Sequence, residues 1–510
     1  MVTRYGRPVF AALVLLALAG IYLAAGRAQH AGASRPPAQQ AAESTRAAVT
    51  SAVRVCPAVG SAGPTAASAA VTAIPGSGSA SVGSAVLTRL TPGGSATPGA
   101  VLATDTRPGV LQITNPAVAA PLSAAQQAGQ PGSSPGGITR AARGGVQTEA
   151  TGALAQGLEV EQTGPGGLVT AQCGAPGTSF WFVGPGQATA GTIELYLANT
   201  GDSAADAQVS VVTDITKGPP LLGNADNGIT VPPHSEVVQS LGQLLQSSKV
   251  VALNVTTSVG QVVAAVRETK SAGADGIWLP ATQAPTRHLV IPGMPNAPGS
   301  RFLYLAVPGT SSAQVKITAV TARGSYQPTG GTGIDLLGGS AVAIPLPSLG
   351  GVAGAISISA SAPVVATLLA SGGPAATSGA PAVSAGPVLE QGVVADNPTG
   401  SGGKTELVLS APRHAATVRV TTATSTVAAT SQSGRVVQIA AGSSMVLPIA
   451  APSGKAAGFS IVVTPLSGGP VYAGRVISSG GIVRSIMAVP SSPTWIPLPG
   501  VTSSLAAMLR

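Results

Sequence analysis

A set of strand-like segments returns three times along this chain, in one order and at nearly constant offsets. Glu194-Leu195-Tyr196-Leu197-Ala198 comes back as Phe302-Leu303-Tyr304-Leu305-Ala306 and again as Glu406-Leu407-Val408-Leu409-Ser410. Val209-Ser210-Val211 then matches Val315-Lys316-Ile317 and Val418-Arg419-Val420. A segment ending in a serine turn follows, at 229–235, 334–340 and 437–443. Each unit closes on Val262-Val263-Ala264, Val364-Val365-Ala366 or Val471-Tyr472-Ala473. Four markers in fixed order are not a product of biased composition.

Within these segments apolar residues alternate strictly, the pattern of strands that bury one face. Leu195 and Leu197, Leu303 and Leu305, and Leu407 and Leu409 point one way, and the Val-x-Val segments supply a facing layer. Turn residues separate the strands, as at Asn199-Thr200-Gly201, Pro308-Gly309, Gly338-Gly339 and Gly468-Gly469-Pro470. Propeller and solenoid repeats run roughly 20–50 residues, far shorter than this one. The expected fold is all-β: tandem immunoglobulin-like β-sandwich modules, at 176–285, 286–385 and 386–510, the last carrying the C-terminal tail. One segment of the first unit, 235–246, has apolar residues at helical spacing and predicts a short helix.

Composition agrees. Only 8% of residues are charged, while 67 are Gly and 43 Pro, which excludes long polar helices and ordinary polar disorder. The net charge of +9 is scattered without a basic run, so nucleic acid is not an expected partner. It leaves room for weak attraction to anionic wall polymers or lipid headgroups.

Residues 9–26 are free of charge, and as a helix they would span about 27 Å, enough for a bilayer core. Arg4 and Arg7 before the stretch set residues 1–8 as a cytoplasmic tail and send the rest outside. The alternative is a cleaved signal peptide ending near Ala31-Gly32-Ala33. Either way the bulk is exported. Residues 27–50 read as a flexible linker, and 51–175 as an N-terminal β module with a mobile loop at 125–147. In that module the segments 52–55, 85–90, 101–104 and 110–114 read as short strands. Cys56 and Cys173 are the only cysteines; in an oxidising compartment a single disulfide is the simplest arrangement, two buried thiols the other.

The phrase Gly157-Leu158-Glu159-Val160-Glu161-Gln162-Thr163, then Gly167-Leu168-Val169, Cys173 and Phe180-Trp181-Phe182-Val183-Gly184, resembles a family of actinobacterial proteins that are exported, Ala/Gly-rich and membrane-anchored. Cys56-Pro57 and the Val-Val-Ala strand ends fit it too. That family is a domain of unknown function, so the resemblance implies a Gram-positive envelope location and no activity.

No catalytic, cofactor or metal site is expected. Gly132-Ser133-Ser134-Pro135-Gly136 has the spacing of a nucleophile elbow, and Ser401-Gly402-Gly403-Lys404 that of Ser-x-x-Lys, but both lie in Gly/Ser/Pro loops without the following helix. The four histidines lack ligand spacing, and His234 reads as a surface turn residue. Glu159 and Glu161 share one strand face; a glycosidase pair there lacks an aromatic groove to support it. Trp181, Trp278 and Trp495, each near a module junction, are the candidate contacts for a ligand or partner, or else plugs between modules. The expected role is a non-enzymatic scaffold or interaction protein of the cell envelope, with other envelope proteins or wall polymers as partners. A wall-glycan-binding module is the second reading and an exported hydrolase the third.

Overall fold

The structure is a computed structural model that describes residues 46–498 except 59–67, 75–82, 93–100, 106–108, 114–138, 142–144, 164–169, 215–220, 223–227, 243–244, 246, 270–275, 298, 372–378, 400–402, 425–433 and 453–457. The anticipated cytoplasmic tail, membrane helix and most of the linker therefore lie outside the described residues. Among the described residues no helix is long and apolar enough to cross a membrane. The chain divides into a small unit, Met1–Ala47 with Trp495–Arg510, and a large one, Ala48–Thr494. In the small unit Trp495–Pro497 pairs with the strand Arg46–Ala48.

Nearly all of the large unit is β-strand, arranged as four two-layer sandwiches, here I to IV. Sandwich II shows the plan. Its strands are Ser179–Pro185, Thr192–Asn199, Ala205–Thr213, Ile229–Val231, Ser235–Ser240, Val250–Val259, Val263–Thr269 and Ile277–Leu279. Strands one, six, three and four form one sheet in that order; five, two, seven and eight form the other. Sandwich III repeats this order with Thr286–Met294, Arg301–Val307, Ala313–Thr321, Ile334–Leu336, Ser340–Pro345, Gly354–Ser371 (sixth and seventh together) and Gly379–Val383. Sandwich IV does so with Gly392–Pro398, Lys404–Ala411, Ala416–Ala423, Arg435–Ile439, Ser443–Ile449, Gly458–Gly468, Tyr472–Ser479 and Ile482–Ala488.

Sandwich I follows the same order with Ser51–Cys56, Ser68–Ala73, Gly83–Arg89, Val101–Asp105, Gly109–Ile113, Val146–Gly152, Glu159–Thr163 and Thr170–Gln172. Three repeats are legible in the sequence; the fold has four. The segments read as strands at 52–55, 85–90, 101–104 and 110–114 are the first, third, fourth and fifth strands here. The expected mobile loop ends in structure, since Thr139–Ala141 and Val146–Gly152 are strands; residues 125–138 lie outside the described ones. Thr139–Ala141 and Thr91–Pro92 also extend a sheet of sandwich II by pairing with Ser235–Ser240.

The topology departs from an immunoglobulin domain at its edges. Such a domain pairs its first strand with its second and its seventh with its sixth. Here the first pairs with the sixth and the seventh with the second. The central pairs, second with fifth and third with sixth, are kept. The cause is the link from strand six to strand seven, which does not reverse. In sandwich III one 18-residue strand runs through both sheets. Its first part pairs with Ala313–Thr321, its last part with Arg301–Val307, and Ser361-Ala362-Pro363 lie between. Proline lacks a ladder donor and so marks the switch, as Pro470 does in IV; in II the switch is at Gly260, in the left-handed region (φ 69°).

The serine turns are one device built three times. Ser235, Ser340 and Ser443 each donate Oγ–H to the carbonyl three residues earlier, at 2.7, 2.7 and 2.8 Å. The preceding residue is left-handed each time: His234 (φ 47°), Gly339 (68°) and Gly442 (70°). His234 is buried rather than on the surface, with Nε2 2.8 Å from Asp202. Where a helix is expected at 235–246 the structure has the strand Ser235–Ser240, and beyond it Leu245 N–H donates to the Leu241 carbonyl at 3.2 Å. Val237 faces the core and Val238 the neighbouring sandwich, so burial on both faces produced an apolar run whose period misled.

Inside each sandwich the two sheets share a core. Leu195 and Leu197 pack with Val211 and Leu253, Leu303 and Leu305 with Val315 and Ile317, Leu407 and Leu409 with Val418 and Val420. Each such side chain contributes about 1.5–3 kcal/mol. Between sandwiches the outer faces are apolar too. Val55 and Leu90 of I meet Ala198 and Val263 of II. Val183, Val212 and Ala252 of II meet Tyr304, Ala306 and Val365 of III. Val290, Val320 and Ala355 of III meet Tyr472 of IV. Val393, Ala423 and Val462 of IV meet Ile74 of I. The chain of contacts closes: I to IV form a ring. Val49 N–H donates to the Thr494 carbonyl at 2.9 Å, so entry and exit of the ring are adjacent.

Leu305 is fully buried while Phe302, on the same strand, is exposed. Leu305→Ala is expected to lower unfolding free energy by about 2–5 kcal/mol, and Phe302→Ala by less than about 1 kcal/mol. Urea unfolding would measure both, and the reverse ranking would contradict this strand register.

Candidate functional site: a cavity lined by all four sandwiches

A cavity of about 390 Å³ opens where the four sandwiches converge. Each sandwich sends its eighth strand to this wall. On those strands Gln172, Trp278, Pro381 and Ile486 occupy equivalent registers, opposite Glu161, Arg267, Leu369 and Val476 of the seventh strands. The fourfold plan therefore yields an asymmetric lining: an amide, an indole, a pyrrolidine and a branched alkyl group. Phe180 and Phe182 of the first strand of II complete the aromatic side.

Trp278 is held in place. Its ring meets Tyr196 edge-on at 5.0 Å between centroids, and the Arg267 guanidinium lies 5.9 Å from its centre. Trp181 is on the other sheet of the same sandwich, packed into the seam with III. The structure thus does not gather Trp181 and Trp278 on one stacking face. Trp495 is half-buried in the small unit.

Charge at the cavity is concentrated in three residues. The buried carboxylate of Glu159 accepts from Arg54 Nη2 at 3.2 Å, Ser492 Oγ at 2.9 Å and Gln172 Nε2 at 3.3 Å. It is therefore satisfied by one cation and two neutral donors. Arg484, at the opening, is exposed and has no hydrogen-bond or ion-pair partner among the described residues. The cavity carries a net positive charge.

Beside it lies the closure between IV and I. Arg475, fully buried, donates to Glu161 Oε1 at 2.6 Å and to Ser485 Oγ at 3.3 Å, and also bonds the Asp396 carbonyl. Glu161 Oε2 accepts from Asp396 N–H at 3.1 Å. Glu159 and Glu161 do share a strand face, and each holds an arginine instead of facing the other across a cleft. Thr72 and Ser460 hydroxyls, 2.6 Å apart, extend the seam.

Cys56 and Cys173 are disulfide-bonded. The bridge joins the first strand of one sheet of sandwich I to the end of the eighth strand of the other, beside the cavity wall. It closes a separation of 117 residues, which in the chain-entropy model stabilises by about 4–5 kcal/mol. Two further acids are buried at the seams. Glu236 of II accepts the Ala58 N–H of I at 3.1 Å, and burial, partly offset by the Ala58 and Gly145 amides, pushes its carboxyl up to about 8. Glu268 has an unpartnered Oε1, and burial pushes it up to about 8. It adds to burial in raising the Tyr304 phenol of III to about 12.

Sequence reasoning missed Arg54, Arg475, Arg484, Glu236 and Glu268, which are isolated charges in an apolar text. One signal was available: Glu159, Glu161, Cys173, Phe180 and Phe182, the residues that carried the family resemblance, all lie at this hub. Gly132 to Gly136 lie outside the described residues, and no group of three or more potential metal ligands occurs among the described ones.

Removing one partner of the Arg475–Glu161 pair leaves a buried charge, so Glu161→Ala is expected to cost about 3–5 kcal/mol, with Glu161→Leu plus Arg475→Met recovering most of it. Equal losses in the single and double variants, by denaturant unfolding, would contradict a closure held by this pair. For Glu268 the folded state holds the proton more tightly than the unfolded one. Its contribution is complete below about pH 4.5 and is lost as pH rises towards 8. Glu268→Gln should flatten the fall of Tm across that window and melt higher at pH 8; an unchanged slope would refute the assignment.

A family of unknown function (DUF5719) matches residues 122–450, from within sandwich I to the end of the fifth strand of IV. No curated protein matches the chain.

Proposed function

This chain belongs to the DUF5719 family of unknown function, and we propose that it is a non-enzymatic scaffold or interaction protein of the bacterial cell envelope, anchored by residues 9–26 with its N-terminus inside and the ring outside. The observation that carries this reading is the disulfide between Cys56 and Cys173. Such bonds persist in exported proteins and are rare where cytosolic thiol systems operate. The charge-free run at 9–26 behind Arg4 and Arg7 supports the same orientation. For the scaffold role the support is rigidity. Apolar seams join each sandwich to its neighbours, and a buried ion pair fixes the last seam, so the outer loops are held in a preorganised frame.

The test is a membrane-impermeant, lysine-reactive cross-linker applied to intact cells, with mass spectrometry of what is captured. Cross-links from Lys249, Lys316 or Lys404 to another envelope protein or to wall fragments are expected. Protection of these lysines until lysis would overturn the location, and labelling without any captured partner would overturn the scaffold role.

A further inference from the structure

We propose that the central cavity binds one small molecule that joins an aromatic body to a single anionic group. The inference stands on the cavity alone and does not depend on the scaffold reading. Its volume of about 390 Å³ falls within the roughly 300–1,000 Å³ of small-molecule sites. Its walls are apolar in the main, through Phe180, Ile277, Trp278, Pro381 and Ile486. The indole is fixed before any ligand arrives, by Tyr196 at its edge and Arg267 near its face, so stacking on it loses little side-chain entropy.

The sign of the ligand's charge follows from the three charged side chains of the lining. Glu159 is neutralised by Arg54 and shielded by Ser492 and Gln172. Arg484 stands at the opening, exposed and unpartnered among the described residues. A neutral molecule would leave that cation unused, and a second cation would meet repulsion. A carboxylate, sulfonate or phosphate on an aromatic ring satisfies both halves of the site, because a guanidinium matches the fork of such groups. Of the four equivalent wall positions only that of Trp278 is aromatic; the other three carry Gln172, Pro381 and Ile486.

The test compares 2-naphthoate with its neutral isostere 2-naphthamide, titrated calorimetrically into the purified full-length chain, with blank titrations into the same buffer and detergent. Saturable binding of one naphthoate per chain is expected, at least about tenfold tighter than the amide. Arg484→Gln should abolish that preference by weakening naphthoate binding about tenfold towards that of the amide. Trp278→Ala should weaken both ligands by about tenfold or more, whereas Trp278→Phe, which keeps an aromatic ring in the fold, should recover most of the loss. Absence of saturable binding, equal affinity for the two probes, or a preference that survives Arg484→Gln would each overturn the proposal.

Discussion

A sheet that must bury both of its faces has almost no place for a charged side chain. That constraint governs this molecule. In an isolated sandwich each sheet has one dry and one wet face, and strands alternate apolar with polar. Here the strand Thr192–Asn199 turns Leu195 and Leu197 to its own core while Tyr196 and Ala198 face sandwich I. Val250–Val259 likewise divides Leu253 and Val255 from Val250 and Ala252. The low charge of the chain, 8%, is the compositional consequence. Two of the acids that remain inside are matched by arginines, Glu161 by Arg475 across the seam between IV and I and Glu159 by Arg54 within I. At the seam between III and IV the backbone of Gly474 lies so near that of Gly293 that even a methyl group on Gly474 would collide.

The same constraint explains what could be read in advance. Inward-facing pairs such as Leu303 and Leu305, repeated at fixed offsets, disclosed the strands, the sandwiches and their duplication, because core burial imposes the same period on every copy. Sandwich I escaped because its strands are short and broken by long Gly/Ser/Pro connections, and because Thr72, Glu159 and Glu161 interrupt its apolar alternation. Its likeness to the others lies in strand order, which no local pattern encodes. Ring closure was invisible for a related reason. It rests on contacts between residues more than 300 positions apart, as Arg475 and Glu161 are. The cavity inherits that opacity, since one wall residue from each of four distant strands defines it. Only Trp278 among the candidate contacts was placed there by composition, and nothing in the sequence separates it from Trp181, which fills a seam.

The exchange of edge strands shows how a small local choice directs the large architecture. A hairpin between strands six and seven would keep them in one sheet and leave both flanks of the sandwich exposed. Running straight on through Ser361-Ala362-Pro363 sends the chain to the opposite layer and brings the eighth strand to the inner rim. Four such rims meeting at one point make the central space. The geometry of the lining is thus a by-product of one bend per copy, made at a glycine in II and at a proline in III and IV.

Because Val49 and Thr494 are hydrogen-bonded neighbours, the ring takes up no net distance along the polypeptide. To whatever precedes and follows it, a body of more than four hundred residues is a loop with touching ends. Such a body can be spliced into a surface turn of a host without prying that host apart. Tension applied through both flanks would fall first on the pairing of Arg46–Ala48 with Trp495–Pro497 and on the Val49–Thr494 hydrogen bond, before it reached the ring.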